Sequence, residues 1–402
     1  MDIDFPAAHE PLALAEDQHA LLRLIACGGP LEARRRLLEE CPQPGAAFAA
    51  GPALWRACGL SAAQVDLLRG ASPDLTAART WLAAPGHHLL GWHDPDYPAL
   101  LRSTQGPPLA LFVAGDPTLL WQPAVALVGS RSASPAGRDN AAAFARELVA
   151  AGLAITSGLA AGIDTAAHES TLRAGGMTVA VLGTGPDVVY PRANAALHAR
   201  VARHGAVVSE YLPGTRARRE HFPSRNRIIA GLSLATVVIE AAERSGALIT
   251  ARLASEAGRE VFALPGSIHN PVARGCHRLI REGVGLVESA AEVIGALAPL
   301  AAELAEHLRQ RLAAPTSVGD GSATPDLPQA EQGPGSGKAC NLDIRKDPNY
   351  HTLWNALGHD PTGMDQLVVR TALTPAVLSS MLLFMELEGR VAIQHGRYFR
   401  RS

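Results

Sequence analysis

Short strand-like segments alternate with helix-like segments between residues 86 and 297, and this alternation limits the possible folds more than any other feature. Val125–Val128 is the first clear strand, and a helix follows from Ser134–Pro135 to about Ala150. Serine as N-cap with proline at the first helical position is a strong helix start. Further strands are expected at Leu153–Thr156, Thr178–Leu182, Ala206–Ser209, Leu234–Ile239, Val261–Leu264 and Val284–Val287.

Strands that alternate with helices are joined by right-handed crossovers, which produce a mostly parallel sheet with helices on both faces. The sequence therefore predicts an open, doubly wound (Rossmann-like) α/β domain over residues 86–297. In such a sheet ligands bind beyond the carboxyl ends of the strands, so the loops at those ends are the candidate sites.

Three further segments complete the predicted organisation. Residues 1–85 carry short helical patterns broken by Gly and Pro, typical of a small helical (SAM-like) module. Residues 298–345 are expected to be a linker, since 314–338 hold four Pro, five Gly and three Ser. Residues 346–402 show three helical patterns and then two strand patterns, which together predict a C-terminal winged helix-turn-helix. The boundaries expected inside it are Leu353–Leu357, Met364–Ala372, Thr374–Glu388, Arg390–Gln394 and Arg397–Arg400.

Composition excludes several classes of function. The net charge is −2, so any nucleic-acid site must come from local clustering of basic residues. Only Lys338 and Lys346 are lysines, which argues against Schiff-base chemistry. Neither GxxxxGK[ST] nor GxGxxG occurs, so a P-loop ATPase and a nicotinamide or flavin cofactor are not expected. No cofactor and no metal are predicted.

The cysteines and the lengths of the apolar runs indicate the cellular compartment that we expect for the protein. The five cysteines are scattered and match no zinc-binding spacing. Free thiols are typical of a reducing compartment, and the longest apolar runs are too short to span a membrane. We therefore expect a cytoplasmic protein without a membrane span.

The first candidate loop is Gly129-Ser130-Arg131, directly after the strand Val125–Val128. Two small residues let the backbone approach a ligand closely, and free N–H groups at the next helix start favour an anion. Arg131 adds a guanidinium fork that suits a phosphate. The alternative is a plain tight turn.

The second candidate is the basic stretch from Arg216 to Arg227. It holds five arginines, namely Arg216, Arg218, Arg219, Arg225 and Arg227, against the single acid Glu220. The arginines would follow the phosphates of a single strand, and a base could stack on Phe222 for about 1–3 kcal/mol. Asn226 could hold the loop or bond a base edge. The alternative is a solvated basic loop with a core phenylalanine.

The third candidate is Ser245-Gly246, which could cap the next helix and offer N–H groups to another phosphate; an ordinary N-cap explains it equally well. Asp164 and His168 lie four residues apart at a helix start. We interpret Asp164 as a cap and His168 as a structural hydrogen-bonding residue rather than a catalyst. Cys276 beside His277 is rejected as a nucleophile, because adjacent helical residues point in different directions.

Together these loops closely resemble the DNA-processing protein A family, also called Smf. The resemblance covers about residues 90–295 and rests on several long motifs in the right order. They are Tyr97–Leu101, Pro107–Phe112, Val128–Arg131, Ser157–His168, His221–Leu232, Ser245–Ala251, Gly258–Gly266 and Gly275–Ile280.

The resemblance implies a non-enzymatic single-stranded DNA-binding protein of natural transformation, which protects incoming DNA and loads the RecA recombinase against single-stranded DNA-binding protein. It also implies a homodimer without a nucleotide cofactor. By motif, Gly129-Ser130-Arg131 form the phosphate loop and Phe222 is the stacking residue. Arg225 and Asn226 complete the pocket wall. Arg219 stands where the family commonly has lysine.

Two questions stay open at this stage. A nucleotide-binding or nucleotide-hydrolysing protein of the lysine-decarboxylase-like fold group would share the sheet and the phosphate loops. Such hydrolases carry a PGGxGTxxE-type loop, and Glu240–Thr250 lacks its paired glycines. The third helix of the winged domain, Thr374–Glu388, has no Lys or Arg, whereas Arg390, Arg397, Arg400 and Arg401 follow it. This module either grips duplex backbone through its wing or docks a protein.

Overall fold

In the computed structural model the described residues are 10–70, 74–300 and 348–400, except 359, 389, 395 and 396. They belong to two compact units, Met1–Ala305 and Glu306–Ser402. The predicted linker lies outside the described residues from 301 onwards. The first three positions of the predicted linker, 298–300, belong to the helix that spans residues 290–300.

Six short helices open the first unit. They are α1 Glu10–Ala26, α2 Leu31–Glu40, α3 Pro44–Ala49, α4 Gly51–Ala57, α5 Ala62–Arg69 and α6 Thr76–Leu82. Ser61 and Gln64 form a reciprocal capping box at the start of α5. The buried Arg34 donates to the carbonyl oxygens of Leu24 and Gly29 and so caps the end of α1. The core of this module includes Leu109 and Ala110 of the following domain, so the helices pack directly on the sheet.

Nine strands and eight further helices make up the α/β part of the described first unit. The strands are β1 His87–Gly91, β2 Ala110–Gly115, β3 Ala124–Gly129, β4 Ala154–Ser157, β5 Thr178–Val181, β6 Ala206–Ser209, β7 Ala235–Glu240, β8 Glu260–Ala263 and β9 Gly285–Leu286. The helices are α7 Ala99–Arg102, α8 Pro135–Ala150, α9 Ile163–Arg173, α10 Ala195–His204, α11 His221–Gly231, α12 Gly246–Glu256, α13 Arg274–Arg281 and α14 290–300.

The strand order is β1-β2-β6-β5-β4-β3-β7-β8-β9. The seven strands from β3 to β9 are parallel to one another, whereas β2 pairs antiparallel with β6 and β1 pairs antiparallel with β2. The predicted doubly wound, mostly parallel sheet is therefore confirmed. The antiparallel edge was not predicted, because short apolar strands beside a helical module carry no alternation signal of their own.

Both faces of the central strands are covered. Along β3, Ala126 and Val128 belong to one apolar cluster, while Val125 and Leu127 belong to the other. Side chains alternate between the faces of a strand, so helices must pack on each side of the sheet. The chain winds outward from β3 toward β6 and, on the other side, from β7 toward β9. The carboxyl ends of β3 and β7 thus form the switch point at which such sheets bind ligands.

The second unit is a winged helix, as predicted. Its elements are α15 Pro348–Ala356, β10 Thr362–Gly363, α16 Met364–Thr371, α17 Pro375–Leu387, β11 Val391–Gln394 and β12 Arg397–Arg400. Leu353, Leu367, Leu378, Leu382 and Met385 are among the buried residues of its core.

The arginines of the wing contact their own domain. The guanidinium carbons of Arg390 and Arg400 lie 4.2 and 4.5 Å from the centre of the Trp354 ring. Arg400 also donates to the Trp354 carbonyl oxygen. Arg397 is exposed, whereas Arg401 lies outside the described residues. Two of the four arginines considered for either a duplex grip or protein docking therefore stack on a tryptophan of their own domain.

Two glycines with the same backbone conformation provide a test of how closely the loop after β4 approaches the loop after β3. Gly162 and Gly152 have φ values of +84° and +83°, so alanine costs both about 1–2 kcal/mol of backbone strain. A Cβ at Gly152 meets nothing within 4 Å, whereas one at Gly162 would collide with the Ser130 carbonyl oxygen.

We expect Gly162→Ala to lower the free energy of unfolding by about 2–5 kcal/mol, because overpacking adds to the strain. Gly152→Ala should show the strain alone. Urea unfolding followed by circular dichroism measures both, and equal losses would contradict the close packing of these loops.

Candidate nucleic-acid interface

A cavity of about 650 Å³ opens at the carboxyl ends of β3 and β7. Nine of the ten predicted site residues line it, and Arg227 is the exception. The nine are Gly129, Ser130, Arg131, Arg219, Phe222, Arg225, Asn226, Ser245 and Gly246. The structure therefore brings the three candidate loops together around one space.

The phosphate loop predicted after β3 is held by backbone contacts. The Ser130 N–H donates to the Glu240 carbonyl oxygen at 2.7 Å, and the pairing of β3 with β7 shifts register between Val128 and Gly129. A Cβ on Gly129 would lie 2.9 Å from that same oxygen, so only glycine fits this approach of β3 to β7. Ser130 is buried, and its hydroxyl accepts from the Ser132 N–H at 3.1 Å.

The Glu240 carboxylate ties three segments together behind this loop. It accepts from the Ser134 N–H at 2.8 Å, from the Ser134 hydroxyl and from the Asn270 side-chain amide at 3.1 Å. A Cβ on Gly137 would collide with it. The carboxylate is buried and serves as the joint between β7, the start of α8 and the segment around Asn270.

Phe222 lies in the first turn of α11 and is half-buried. Its ring packs against Gly183, where an added Cβ would come within 3.0 Å of the ring. The guanidinium carbon of Arg131 lies 5.2 Å from the ring centre, and Arg131 itself is exposed. The ring is therefore neither enclosed in the core nor fully open to solvent, because the exposed Arg131 covers one face of it.

Arg225 has a different role from the one expected of a phosphate contact. It is 4% exposed and donates to the carbonyl oxygens of Gly158, at 2.7 Å, and of Val181. A Cβ on Gly158 would collide with its guanidinium. Burial lowers the pKa of Arg225 to about 10, although Asp164 nearby opposes this shift. Arg225 thus joins the ends of β4 and β5 to α11.

Asp164 completes this buried arrangement. Its carboxylate accepts from the N–H groups of Gly158 and Ala160 at 3.1 and 3.3 Å. Burial raises the pKa of Asp164, while Arg225 and these N–H groups favour the charged form. The predicted cap role is wrong, because the N-cap of α9 is Gly162 without a side-chain cap bond and Asp164 lies inside the first turn. Its carboxylate holds the loop after β4 instead.

Arg227 does not join the cavity. It forms a half-buried ion pair with Glu210, just beyond β6. Asn226, one position earlier, does face the cavity, and its side-chain amide donates to the Gly246 carbonyl oxygen at 3.3 Å. Of the two roles considered for Asn226, the structure shows the positional one. Ser245 caps α12, accepting from the Ala247 N–H at 3.2 Å.

The free positive charge lies on the rim. Arg131 and Arg219 are exposed at the cavity, and Arg216 and Arg218 are exposed just before Arg219. Arg225 and Arg227, by contrast, are engaged within the fold.

Sequence reasoning missed Tyr190. Its ring centre lies 5.2 Å from that of Phe222, with an angle of 42° between the planes, and Tyr190 is 45% exposed. It belongs to the loop between β5 and α10, which the strand-end rule covers. An aromatic residue in that loop was the available signal.

Two other residues have the structural roles expected of them. His168 is fully buried and bonds the Thr178 hydroxyl through Nδ1 at 2.7 Å. Burial lowers its pKa to about 3. Cys276 is buried, and burial raises the pKa of its thiol to about 12. Neither group is suited to proton transfer or nucleophilic attack at neutral pH.

Two features are absent from the described residues. No group of three or more His, Cys, Asp or Glu side chains within them is placed to hold a metal ion. None of their helices is both long and apolar enough to cross a membrane.

Comparisons with known proteins agree with this arrangement. The family model described as DNA recombination-mediator protein A matches residues 88–298, and that of the DprA winged helix domain matches residues 329–397. Protein Smf of Synechocystis sp. is 38% identical over 315 residues, which is 77% of this chain and 79% of the relative. DNA processing protein DprA of Streptococcus pneumoniae is 48% identical over 201 residues, which is 50% of this chain and 71% of the relative.

A solved structure shows the same fold. The X-ray structure of DNA processing protein A from Streptococcus pneumoniae superposes with a TM-score of 0.62 at 37% identity, covering 69% of this chain and 96% of that chain. The family model spans the whole parallel sheet and every loop of the cavity. On these grounds the chain belongs to the DNA-processing protein A (Smf) family.

Proposed function

We propose that the cavity at the switch point binds single-stranded DNA, with phosphates on the rim arginines and a base on Phe222. One observation carries this proposal. An exposed guanidinium, Arg131, lies 5.2 Å from the centre of a partly accessible aromatic ring, Phe222, and both line an open cavity of about 650 Å³. Arginine with aromatic rings is the usual combination for holding an unpaired strand.

Each part of the cavity suits one part of a nucleotide. Arg131 and Arg219 offer planar forks to phosphate oxygens. The start of α12 at Ser245-Gly246 contributes the positive end of a helix dipole. When Arg131 moves to a phosphate, the face of Phe222 that it covers becomes available to a base. Bases inside a duplex cannot reach that ring, so the geometry favours a single strand.

We further propose that the protein acts as a recombination mediator in the cytoplasm. It would protect incoming single strands during natural transformation and load RecA onto them in the presence of single-stranded DNA-binding protein, as a homodimer. Membership of a family described by recombination mediation supports this role. The free thiols of Cys27, Cys41, Cys58 and Cys276 agree with a reducing compartment.

We also propose that the protein is not an enzyme. The nucleotide-hydrolase alternative calls for a PGGxGTxxE-type loop, and the corresponding stretch, Glu240–Thr250, lacks the paired glycines. The Glu240 carboxylate at the start of this stretch accepts bonds from Ser134 and Asn270 within the fold. Incubation with nucleoside monophosphates should therefore release no free base, and release above the buffer blank would contradict this part of the proposal.

Removing a rim arginine should change how binding depends on salt. Arg131→Ala and Arg219→Ala should each weaken binding to oligo-dT and flatten the plot of log affinity against log salt by about 0.7, one single-strand phosphate contact. Arg173→Ala is the matched control, because Arg173 is exposed on α9 outside the cavity. Fluorescence anisotropy at several salt concentrations measures the slopes. Unchanged slopes in both rim variants would show that these guanidiniums do not meet phosphates.

Removing the ring should act differently. Phe222→Ala should weaken binding by about 1–3 kcal/mol, since one stacked base is lost. The salt slope should stay near that of the wild type, because stacking releases no counterions. The same anisotropy titrations measure it, and wild-type affinity in Phe222→Ala would refute the stacking role.

Arg225 should behave as a structural residue. Arg225→Met should lower the free energy of unfolding by about 3–5 kcal/mol, because it leaves Asp164 and two carbonyl oxygens buried without their partner. Gly158→Ala should also destabilise, since it pushes against the same guanidinium. Urea unfolding measures both. A fully stable Arg225→Met protein with a flattened salt slope would instead make Arg225 a phosphate contact.

A further inference from the structure

Tyr190 forms an aromatic pair with Phe222 that the roles assigned above leave unused. The two ring centres are 5.2 Å apart, and the planes meet at 42°. Tyr190 lines the main cavity and also a smaller recess of about 100 Å³, which it shares with Arg131 and Phe222. At 45% exposure, a large part of its side chain is open to solvent.

Hydrogen bonds on both sides of Tyr190 hold its loop in place. On one side, the Asp187 carboxylate accepts from the Gly214 N–H at 2.8 Å, and the Thr184 hydroxyl donates to the Val188 carbonyl oxygen at 2.6 Å. On the other side, the Asn194 amide donates to the Leu159 carbonyl oxygen at 2.9 Å. The loop is thus anchored before and after Tyr190, and the ring is presented from a fixed backbone.

The spacing of the rings decides how many bases they can hold. One base sandwiched between parallel rings needs about 7 Å between them, twice the van der Waals separation of roughly 3.5 Å. The observed 5.2 Å is too short and the rings are not parallel. The pair is therefore not a clamp for one base, and each ring offers its own surface.

The angle between the rings decides how two neighbouring bases lie. Stacked neighbours in a strand have parallel planes. Bases placed on Phe222 and Tyr190 would be inclined by about the 42° of the rings, so that step of the strand must be unstacked. Unstacking is easier in a thymine tract than in an adenine tract, because stacking strength and backbone flexibility differ between them.

Resting on the proposed single-strand binding, we propose that Tyr190 is a second base platform, and that its tilt against Phe222 makes the site select flexible, poorly stacked strands over stacked purine tracts. The selection acts through strand flexibility rather than through base edges. Asn226, the side-chain amide at this wall, already donates to the Gly246 carbonyl oxygen.

The test compares oligo-dT with oligo-dA of equal length on the full chain. The wild type should bind oligo-dT about 3- to 10-fold more tightly, a difference of the size that stacking differences produce. Tyr190→Leu should lose about 5- to 30-fold in affinity for oligo-dT, since one stacked base is lost. Tyr190→Leu should lose less affinity for oligo-dA, because that strand regains its own base stacking. The ratio of the affinities for oligo-dT and oligo-dA should therefore fall toward one.

Two controls make the result specific. Tyr190→Phe keeps the ring and should retain both the affinity and the ratio. The salt slope of Tyr190→Leu should equal that of the wild type, because the ring carries no charge. Thermal unfolding of each variant shows whether the fold is intact.

The outcomes are distinguishable. Equal losses for both oligonucleotides in Tyr190→Leu would mean that Tyr190 only supports Phe222, which overturns the inference. Wild-type binding and an unchanged ratio in Tyr190→Leu would overturn it as well. If the wild type binds neither oligonucleotide, the proposed function itself fails.

Discussion

The buried guanidinium of Arg225 is the contact on which the cavity wall depends. It donates to carbonyl oxygens at the ends of β4 and β5, while Asp164 beside it accepts from the N–H groups of the loop after β4. A buried charge is costly unless it is paired and hydrogen-bonded. Because both charges are satisfied only when these loops meet α11, the arrangement enforces one relative position of the three segments.

A second buried charge performs the same task on the other side of the switch point. Glu240 joins β7 to the start of α8 and to Asn270. The inner wall therefore consists of charges that the protein satisfies itself, and the rim consists of exposed arginines. A binding site benefits from this separation, because the inner contacts keep the backbone in place while the outer guanidiniums remain free for phosphates.

Strand and helix periodicities are local, and they predicted most of the fold. The rule that ligands bind at the carboxyl ends of parallel strands predicted which loops meet. The sequence could not separate the arginines of the basic stretch by role. That separation follows from where α11 begins. With about 100° per residue, Phe222, Arg225 and Asn226 fall on the face toward the cavity, whereas Arg227 falls on the flank that meets Glu210. The helix begins at His221 without a strong capping residue, since Glu220 makes no side-chain cap bond. The sequence therefore did not indicate where α11 begins or which of its side chains face the cavity.

The bias toward arginine suits both parts of this site, for different reasons. Arg225 is buried and donates to both carbonyl oxygens through Nη1, and a guanidinium suits such a site better than a lysine ammonium because it is more weakly hydrated. On the rim, the same planar group suits phosphate and also covers the Phe222 ring. Under the proposed function, a movement of Arg131 to a phosphate would uncover the ring at the same time. In such a site phosphate binding and base stacking are coupled, and a bare anion could engage only the first of them.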